Sequence, residues 1–206
     1  MSKKAFSIMS GGMDSTLSTV WAKGKYKKVI ALFFSWGQKA EKDEWAAVQR
    51  ICEKLDIKKV KKIDAPISRW DQSSLTKGTP NKINNEDFMV PERNLVFISL
   101  AASYARAKGG GSLVVGFNQD DGGYDTSQEF VNQINEFFNQ GTEDLKCETG
   151  YISGTFIKLE APLIKKTKPL IREQLKSSGL FSLTYSCYAA GGFCLECKAC
   201  QKRIEL

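Results

Sequence analysis

The stretch SGGMDS, residues 10–15, decides how this chain is read. The apolar run ahead of it (Ala5, Phe6, Ile8, Met9) suits a buried parallel strand, and Thr16 to Lys23 behind it has helical spacing. The order is therefore strand, tight loop, helix. Two adjacent glycines let the backbone fold closely and turn its N–H groups inward, while the start of the helix adds partial positive charge. Phosphate is the natural guest of such a loop. The plain alternative is an ordinary strand-to-helix turn with a Ser or Asp cap. The loop has neither the GxxxxGK[ST] spacing of a Walker A sequence nor the GxGxxG of dinucleotide folds.

Outward from the loop, the 206 residues allow one domain with a substantial core and a small appendage. No apolar run reaches membrane-spanning length, and the polar start MSKK lacks the apolar core of a signal peptide, so a cytoplasmic location and no membrane partner are expected. The net charge of +7 is spread over lysines at 25–28, 58–62 and 165–168, which favours small anionic ligands over nucleic acid. There is no histidine, so acid–base and metal chemistry must use other side chains.

Lys28 to Ser35 (KVIALFFS) has the profile of a central parallel strand and ends in Trp36-Gly37-Gln38, beside the first loop if the sheet is open and parallel. Trp36 is equally a wall for a flat heterocycle and a cap on the core. Glu41 to Leu55 has helical spacing through Trp45, Ala46, Val48, Ile51, Cys52 and Leu55, with Cys52 a small core residue, and Lys59 to Ile63 is a third strand. The repeat predicts an α/β fold with a doubly wound parallel sheet. Residues 66–91, with Gly78, Pro80 and Asn84-Asn85, read as a long loop leading through Val90-Pro91-Glu92-Arg93-Asn94 into a helix over 95–107. Arg93 and Asn94 would then reach into a site from a helix N-terminus.

Gly109 to Gly111 stops that helix and Ser112 to Val115 resumes the sheet. Beyond it, Asn118, Asp120, Asp121, Tyr124 and Asp125 offer the amides, carboxylates and aromatic ring that a polar heterocycle needs, although Asp and Gly are also good turn formers. A helix follows from Glu129, with Phe130 on its buried side, and Thr155 to Leu163 holds a fifth strand. Lys168, ahead of Pro169 at the next helix start, is placed to reach phosphate as a point charge or to be a surface lysine.

Cys187, Cys194, Cys197 and Cys200 form one thiolate set, Cys-x6-Cys-x2-Cys-x2-Cys, suited to a closed, structural tetrahedral Zn2+ site. An iron–sulfur cluster is the competing occupant. Cys147 stands apart and has no neighbouring base.

SGGMDS resembles the SGGxDS pyrophosphate loop of the ATP-pyrophosphatase superfamily at all six positions. Over nearly its whole length the chain is similar to the 7-cyano-7-deazaguanine (preQ0) synthases, QueC. The markers are SGGMDST at 10–16, WGQ at 36–38, VPERN at 90–94, VGFNQDD and YDTSQEF within 115–130, Lys168 and the four cysteines. The resemblance implies an adenine nucleotide alpha hydrolase-like fold (HUP/PP-loop ATPase), with a Rossmannoid domain over 1–180 and a zinc-binding region over 181–206 packed on it. It implies adenylation of 7-carboxy-7-deazaguanine by ATP, displacement of AMP by ammonia, and a second activation that dehydrates the amide to a nitrile.

Carried over by position, Ser10, Gly11, Gly12, Asp14 and Ser15 would surround the phosphates. Ser10, Asp14, Ser15 and Lys168 would be catalytic, and Asp14 would help place Mg2+. Trp36, Gln38, Arg93 and Asn94 would bind the nucleotide; Asn118, Asp121, Tyr124, Asp125 and Glu129 would bind the deazaguanine. Relatives of the family suggest a homodimer.

The chain departs from the family at GQKA, residues 37–40, where GQRH is common, and at VPERN, where VPGRN or VPARN is common. That opens a second reading, a ligase of an anti-phage system joining the activated deazaguanine to a protein amine. A basic zinc-knuckle module binding nucleic acid is a lesser alternative. A tRNA-thiolating enzyme would want a catalytic cysteine pair in the main domain, where Cys52 and Cys147 are isolated.

Overall fold

The computed structural model describes residues 4–79, 82–84, 86–140 and 155–204. Strand β1 (Lys4–Ile8) runs through the loop into helix α1 (Met13–Lys25), followed by β2 (Lys28–Ser35), α2 (Glu41–Lys54) and β3 (Lys59–Asp64). After a long connection come α3 (Arg93–Arg106), β4 (Gly111–Val114), α4 (Gln128–Asn139), β5 (Ile157–Glu160), α5 (Lys168–Ser177) and the short α6 (Lys198–Ile204). Among the described residues the connection holds one 3-10 turn, Ile67–Arg69. It is tied together at Asp71, whose carboxylate accepts from the Ser73 hydroxyl at 2.8 Å and the Thr76 hydroxyl at 2.6 Å. Cys147 lies outside the described residues, as do Pro80 and Asn85 of the loop. No helix is long and apolar enough to cross a membrane among the described residues.

The five strands are parallel in the order β3-β2-β1-β4-β5, with Ser7 of β1 opposite both Ala31 and Val114. Alternating side chains divide the interior in two. Phe6, Ile30, Leu32, Phe34 and Leu113 face one core, shared with Ile98 and Ala101 of α3 and Phe130 of α4. Ala5, Ala31, Phe33 and Val114 face the other, shared with Ala22 of α1 and Ala47, Val48 and Ile51 of α2. This is a doubly wound sheet: the chain winds from β1 to β3 in one direction and from β4 to β5 in the other. The reversal leaves a crevice beyond the carboxyl ends of β1 and β4, where open α/β sheets bind ligands.

Two expectations shift. Helix α1 begins at Met13 instead of Thr16, with Gly12 at its N-cap and no side-chain cap, so Asp14 and Ser15 belong to its first turn. On α2 the fully buried positions are Ala47, Val48, Ile51 and Cys52. Trp45 is only partly buried, its ring 5.2 Å from that of Phe33, because the helix presents its first turn to the edge lysine Lys62.

Beside the crevice, Gly11 and Gly116 are required by close approach. Gly11 has φ +79°, and a Cβ there would lie 2.8 Å from the Glu44 carbonyl oxygen. At Gly116, just beyond β4, a Cβ would lie 2.7 Å from the Asp14 carbonyl carbon, so β4 runs directly against the start of α1. Gly12 has an ordinary extended backbone, and a Cβ there would come no closer than 3.4 Å to its nearest neighbour, the Ser10 hydroxyl. Gly11→Ala is therefore expected to cost about 1–3 kcal/mol, read by denaturant unfolding, while Gly12→Ala stays near wild-type stability. Equal losses at both positions would contradict this account of the loop.

Candidate active site

A cavity of about 320 Å³ opens at the crevice between β1 and β4. Its floor is the 10–15 loop. The Ser10 N–H donates to the Ser15 hydroxyl at 3.2 Å, and that hydroxyl reaches the Gly12 carbonyl at 3.2 Å, which closes the loop on itself. Of the loop residues expected to meet phosphate, Ser10, Gly12, Asp14 and Ser15 line the cavity, while Gly11 is buried beneath it against α2.

Lys168 sits at the start of α5, where its backbone N–H donates to the Asp120 carboxylate at 2.6 Å. Its ammonium pairs with one carboxylate oxygen of Asp14. The other oxygen of Asp14 is buried and has no hydrogen-bond partner among the described residues. A hard divalent cation is satisfied by such an oxygen, so the donor set fits Mg2+. Asp121 also lines the cavity. Its carboxylate accepts from the Asn118 N–H at 3.1 Å. Crowding by protein and the charge of Asp14 hold its pKa above the usual carboxylate range, against the pull of Lys168.

The wall built from β2 and α3 is aromatic. Phe34 and Phe97 stack with ring centres 4.5 Å apart, and Trp36 meets Phe97 edge-on at 6.3 Å. Trp36 is buried and lines the cavity, so it serves both as core and as wall. The Arg93 guanidinium lies 5.4 Å from the Trp36 ring centre. Gln38 lines the cavity, but its amide is used internally: Oε1 accepts from the Trp36 N–H at 2.9 Å, and Nε2 donates to the Phe34 carbonyl at 3.1 Å and Glu44 at 2.9 Å.

Asn94 lines the cavity and donates to the Asp125 carboxylate at 2.8 Å. Asp125 therefore stands behind Asn94 and outside the lining. Three other residues expected to contact the heterocycle are also outside it. Asn118 is buried, with its Oδ1 accepting from the Asp120 N–H at 3.0 Å. Tyr124 is 56% exposed and donates to Gln133 on α4, and Glu129 is exposed on the same helix. The physical reason is the turn: residues 122–126 pass through a 3-10 turn, Tyr124–Thr126, into α4, whose N-cap Ser127 accepts from the Phe130 N–H. That path carries Tyr124 and Glu129 to the outer side of α4.

The C-terminal tail supplies a wall that sequence reasoning missed: Tyr185, Ser186, Tyr188 and Lys202 all line the cavity. The Tyr185 N–H donates to the Gly11 carbonyl at 2.8 Å, tying the tail to the phosphate loop. The available signal was that Tyr185, Ser186 and Tyr188 flank the first cysteine of the set. Glu44, also in the lining, was hidden in the charged helix start EKDE, which reads as a solvated face.

The four cysteine sulfurs lie within 4.8 Å of one another, with Cys187 to Cys197 and Cys194 to Cys200 each at 4.0 Å. Tetrahedral coordination with ordinary metal–thiolate bonds puts sulfurs about 3.8 Å apart, so the set fits one metal ion. Backbone N–H groups of Ala189 and Cys194 point at the Cys187 sulfur at 3.4 and 3.3 Å, as they do around metal-bound thiolates. Three of the cysteines also share a buried core with β1, β2 and α2.

The sheet order and the loop at its switch point define an α/β domain of the PP-loop ATPase type. Two solved structures share that fold. One is the U34-tRNA thiolase NcsA from Methanococcus maripaludis with its 4Fe–4S cluster, at TM-score 0.53 and 16% identity over 86% of this chain and 57% of that one. The other is a 4-thiouridine synthetase in an RNA complex with bound ATP, at TM-score 0.57 and 14% identity over 96% of this chain and 46% of that one. Within this class, the family model of the queuosine biosynthesis protein QueC matches residues 4–205, and the chain belongs to that family. A 7-cyano-7-deazaguanine synthase of Campylobacter concisus is 36% identical over 219 residues, covering 98% of this chain and 93% of that protein.

Cys197→Ser is expected to lose the bound metal and to lower the thermal midpoint by about 5 °C or more, measured by elemental analysis and calorimetry. Wild-type metal content and midpoint would contradict a four-thiolate site.

Proposed function

We propose that this chain is a 7-cyano-7-deazaguanine synthase, which activates the carboxylate of 7-carboxy-7-deazaguanine with ATP and converts it through the amide to the nitrile. The reading is carried by one arrangement: a phosphate-type loop and an aromatic wall share a single cavity, in a chain that matches the QueC family along its length. A carboxylate is a poor electrophile. Its attack on the α-phosphorus of ATP makes its oxygen part of a leaving group and releases pyrophosphate. The N–H groups of residues 10–15, the start of α1 and the Lys168 ammonium take up the charge that collects there. Ammonia then displaces AMP to give the amide, and a second activation at the amide oxygen precedes loss of water as AMP and a proton.

Mg2+, held by Asp14, would neutralise the charge on the leaving pyrophosphate. Trp36 and Phe97 offer flat faces for heterocycles, while Arg93 and Lys202 add positive charge to the cavity. We assign Zn2+ to the cysteine set, since its sulfurs converge on a point too small for a 4Fe–4S core; that cluster is a property of the Methanococcus thiolase. Reduced thiolates of this kind suit a cytoplasmic setting. A homodimer is also part of the proposal, and exposed Trp70 and Met89 in the 65–92 segment offer apolar surface for it.

The protein-amine ligase draws no support from the relatives, which carry the synthase name. The nucleic-acid module is disfavoured by the basic residues near the cysteines. Arg203 is engaged with Thr184 and the Phe181 carbonyl, and Lys202 lines the cavity.

Protein incubated with ATP, Mg2+, 7-carboxy-7-deazaguanine and ammonia is expected to give the nitrile with two AMP per product, read by mass spectrometry. Amide as the final product would contradict the dehydration step, and absence of AMP would contradict the substrate.

A further inference from the structure

The described lining of the cavity holds three carboxylates, and two of them are committed to the phosphate side. Asp14 is paired with Lys168, and Asp121 is held by the Asn118 N–H and feels the charge of Lys168. The third, Glu44, lines the cavity from α2, beside Gln38. It lies one turn into α2, its N–H bonded to the Ala40 carbonyl at 2.9 Å, and its own carbonyl abuts the position a Cβ on Gly11 would take. The Gln38 amide fixes its Oε2 at 2.9 Å, and Oε1 accepts no hydrogen bond from a described residue. No lysine or arginine forms an ion pair with it among the described residues.

The groups around Glu44 are few. The charge of Arg93 on α3 favours the ionised form, while Glu41 and Asp43 on its own helix oppose it. Glu41 is itself bound to Lys62, and Asp43 accepts from the Gly191 N–H of the tail. Burial dominates and pushes the Glu44 carboxyl up to about 7. Tyr185 and Tyr188 are both raised above the ordinary phenol range by burial, Lys168 is held as an ion pair, and the chain contains no histidine.

The chemistry requires a proton acceptor twice. When ammonia attacks the acyl adenylate, its lone pair forms the C–N bond, the C–O bond to AMP breaks with its electrons on the phosphate oxygen, and one N–H proton must leave. When the amide oxygen has been adenylated at the expense of a second ATP, one proton having been lost to solvent, the last N–H proton leaves. Its electrons complete the carbon–nitrogen triple bond as AMP departs. We propose that Glu44 is the catalytic base that takes both protons, passing the first to solvent before the second step. This role rests on the synthase reading. Its amide partner Gln38 and the lack of an ion pair among the described residues distinguish it from Asp14, which is paired with Lys168, and from Asp121, which feels the charge of Lys168.

The test is Glu44→Gln, which keeps an acceptor for Gln38, with Glu44→Asp as a conservative partner. Pyrophosphate release reports adenylation. Amide-bond formation is followed with ammonia and with hydroxylamine, a nucleophile that stays neutral from about pH 6.5 to about 8.5, so that its own titration does not mask that of the enzyme. Wild type is expected to form the hydroxamate with a rate that rises through about pH 7, following ionisation of Glu44. Glu44→Gln is expected to slow amide-bond formation about 100-fold more than adenylation and to lose that inflection, and Glu44→Asp to recover part of both. Wild-type amidation with the inflection intact in Glu44→Gln overturns the role alone. Equal loss of adenylation and amidation also overturns it, assigning Glu44 to nucleotide binding. No acid-dependent pyrophosphate from the wild type overturns the synthase reading, and the role with it.

Discussion

The hydrogen bond from the Tyr185 N–H to the Gly11 carbonyl joins the two parts of the chain on which the site depends. Gly11 is fixed below by the Glu44 carbonyl, which leaves no space for a side chain, and its φ of +79° sets the direction of the loop that follows. From above, the tail that grips it is held by four cysteines gathered within 4.8 Å. The phosphate loop is thus clamped between α2 and a metal-type site. Preorganisation of this kind matters because donors aimed at developing charge stabilise a transition state without having to reorient.

The same cavity separates two kinds of charge. On the β4–α5 side, Asp14, Asp121 and Lys168 form a compact group suited to a cation and phosphate, and one oxygen of Asp14 is left buried without a partner among the described residues. On the β2–α2 side, the Glu44 carboxylate accepts from the Gln38 amide and shares the lining with Phe33, Phe34 and Trp36. Two carboxyl environments, one tied to a lysine and one mainly desolvated, let one fold hold acids with different tasks. The aromatic wall, Phe34 stacked on Phe97 and Trp36 beside Arg93, offers a flat face.

Most of the frame was legible in the residues. β2 has the bounds its apolar run suggested, Lys28–Ser35, because a central parallel strand is apolar on both faces and needs no tertiary information to be seen. The loop and the cysteine set were visible because their chemistry depends on residue type and spacing, whereas Lys168 by position alone read as a surface lysine and was singled out by the family resemblance. The direction of side chains after β4 was not legible. Whether Tyr124 faces the cavity or Gln133 depends on a 3-10 turn within a segment whose Asp and Gly residues permit several turns. Glu44 was illegible for a different reason: its place in the cavity depends on its tertiary neighbours Gln38 and Gly11, while the local pattern EKDE is that of a solvated helix start.

The central claim is that the loop brings the substrate carboxylate to the α-phosphorus of ATP. Its most direct measurement uses 7-carboxy-7-deazaguanine labelled with oxygen-18 in the carboxylate, followed by mass analysis of the nucleotide released. Transfer of carboxylate oxygen to AMP is the predicted result. Label found in inorganic phosphate with ADP as the nucleotide product, or AMP without label, would contradict it.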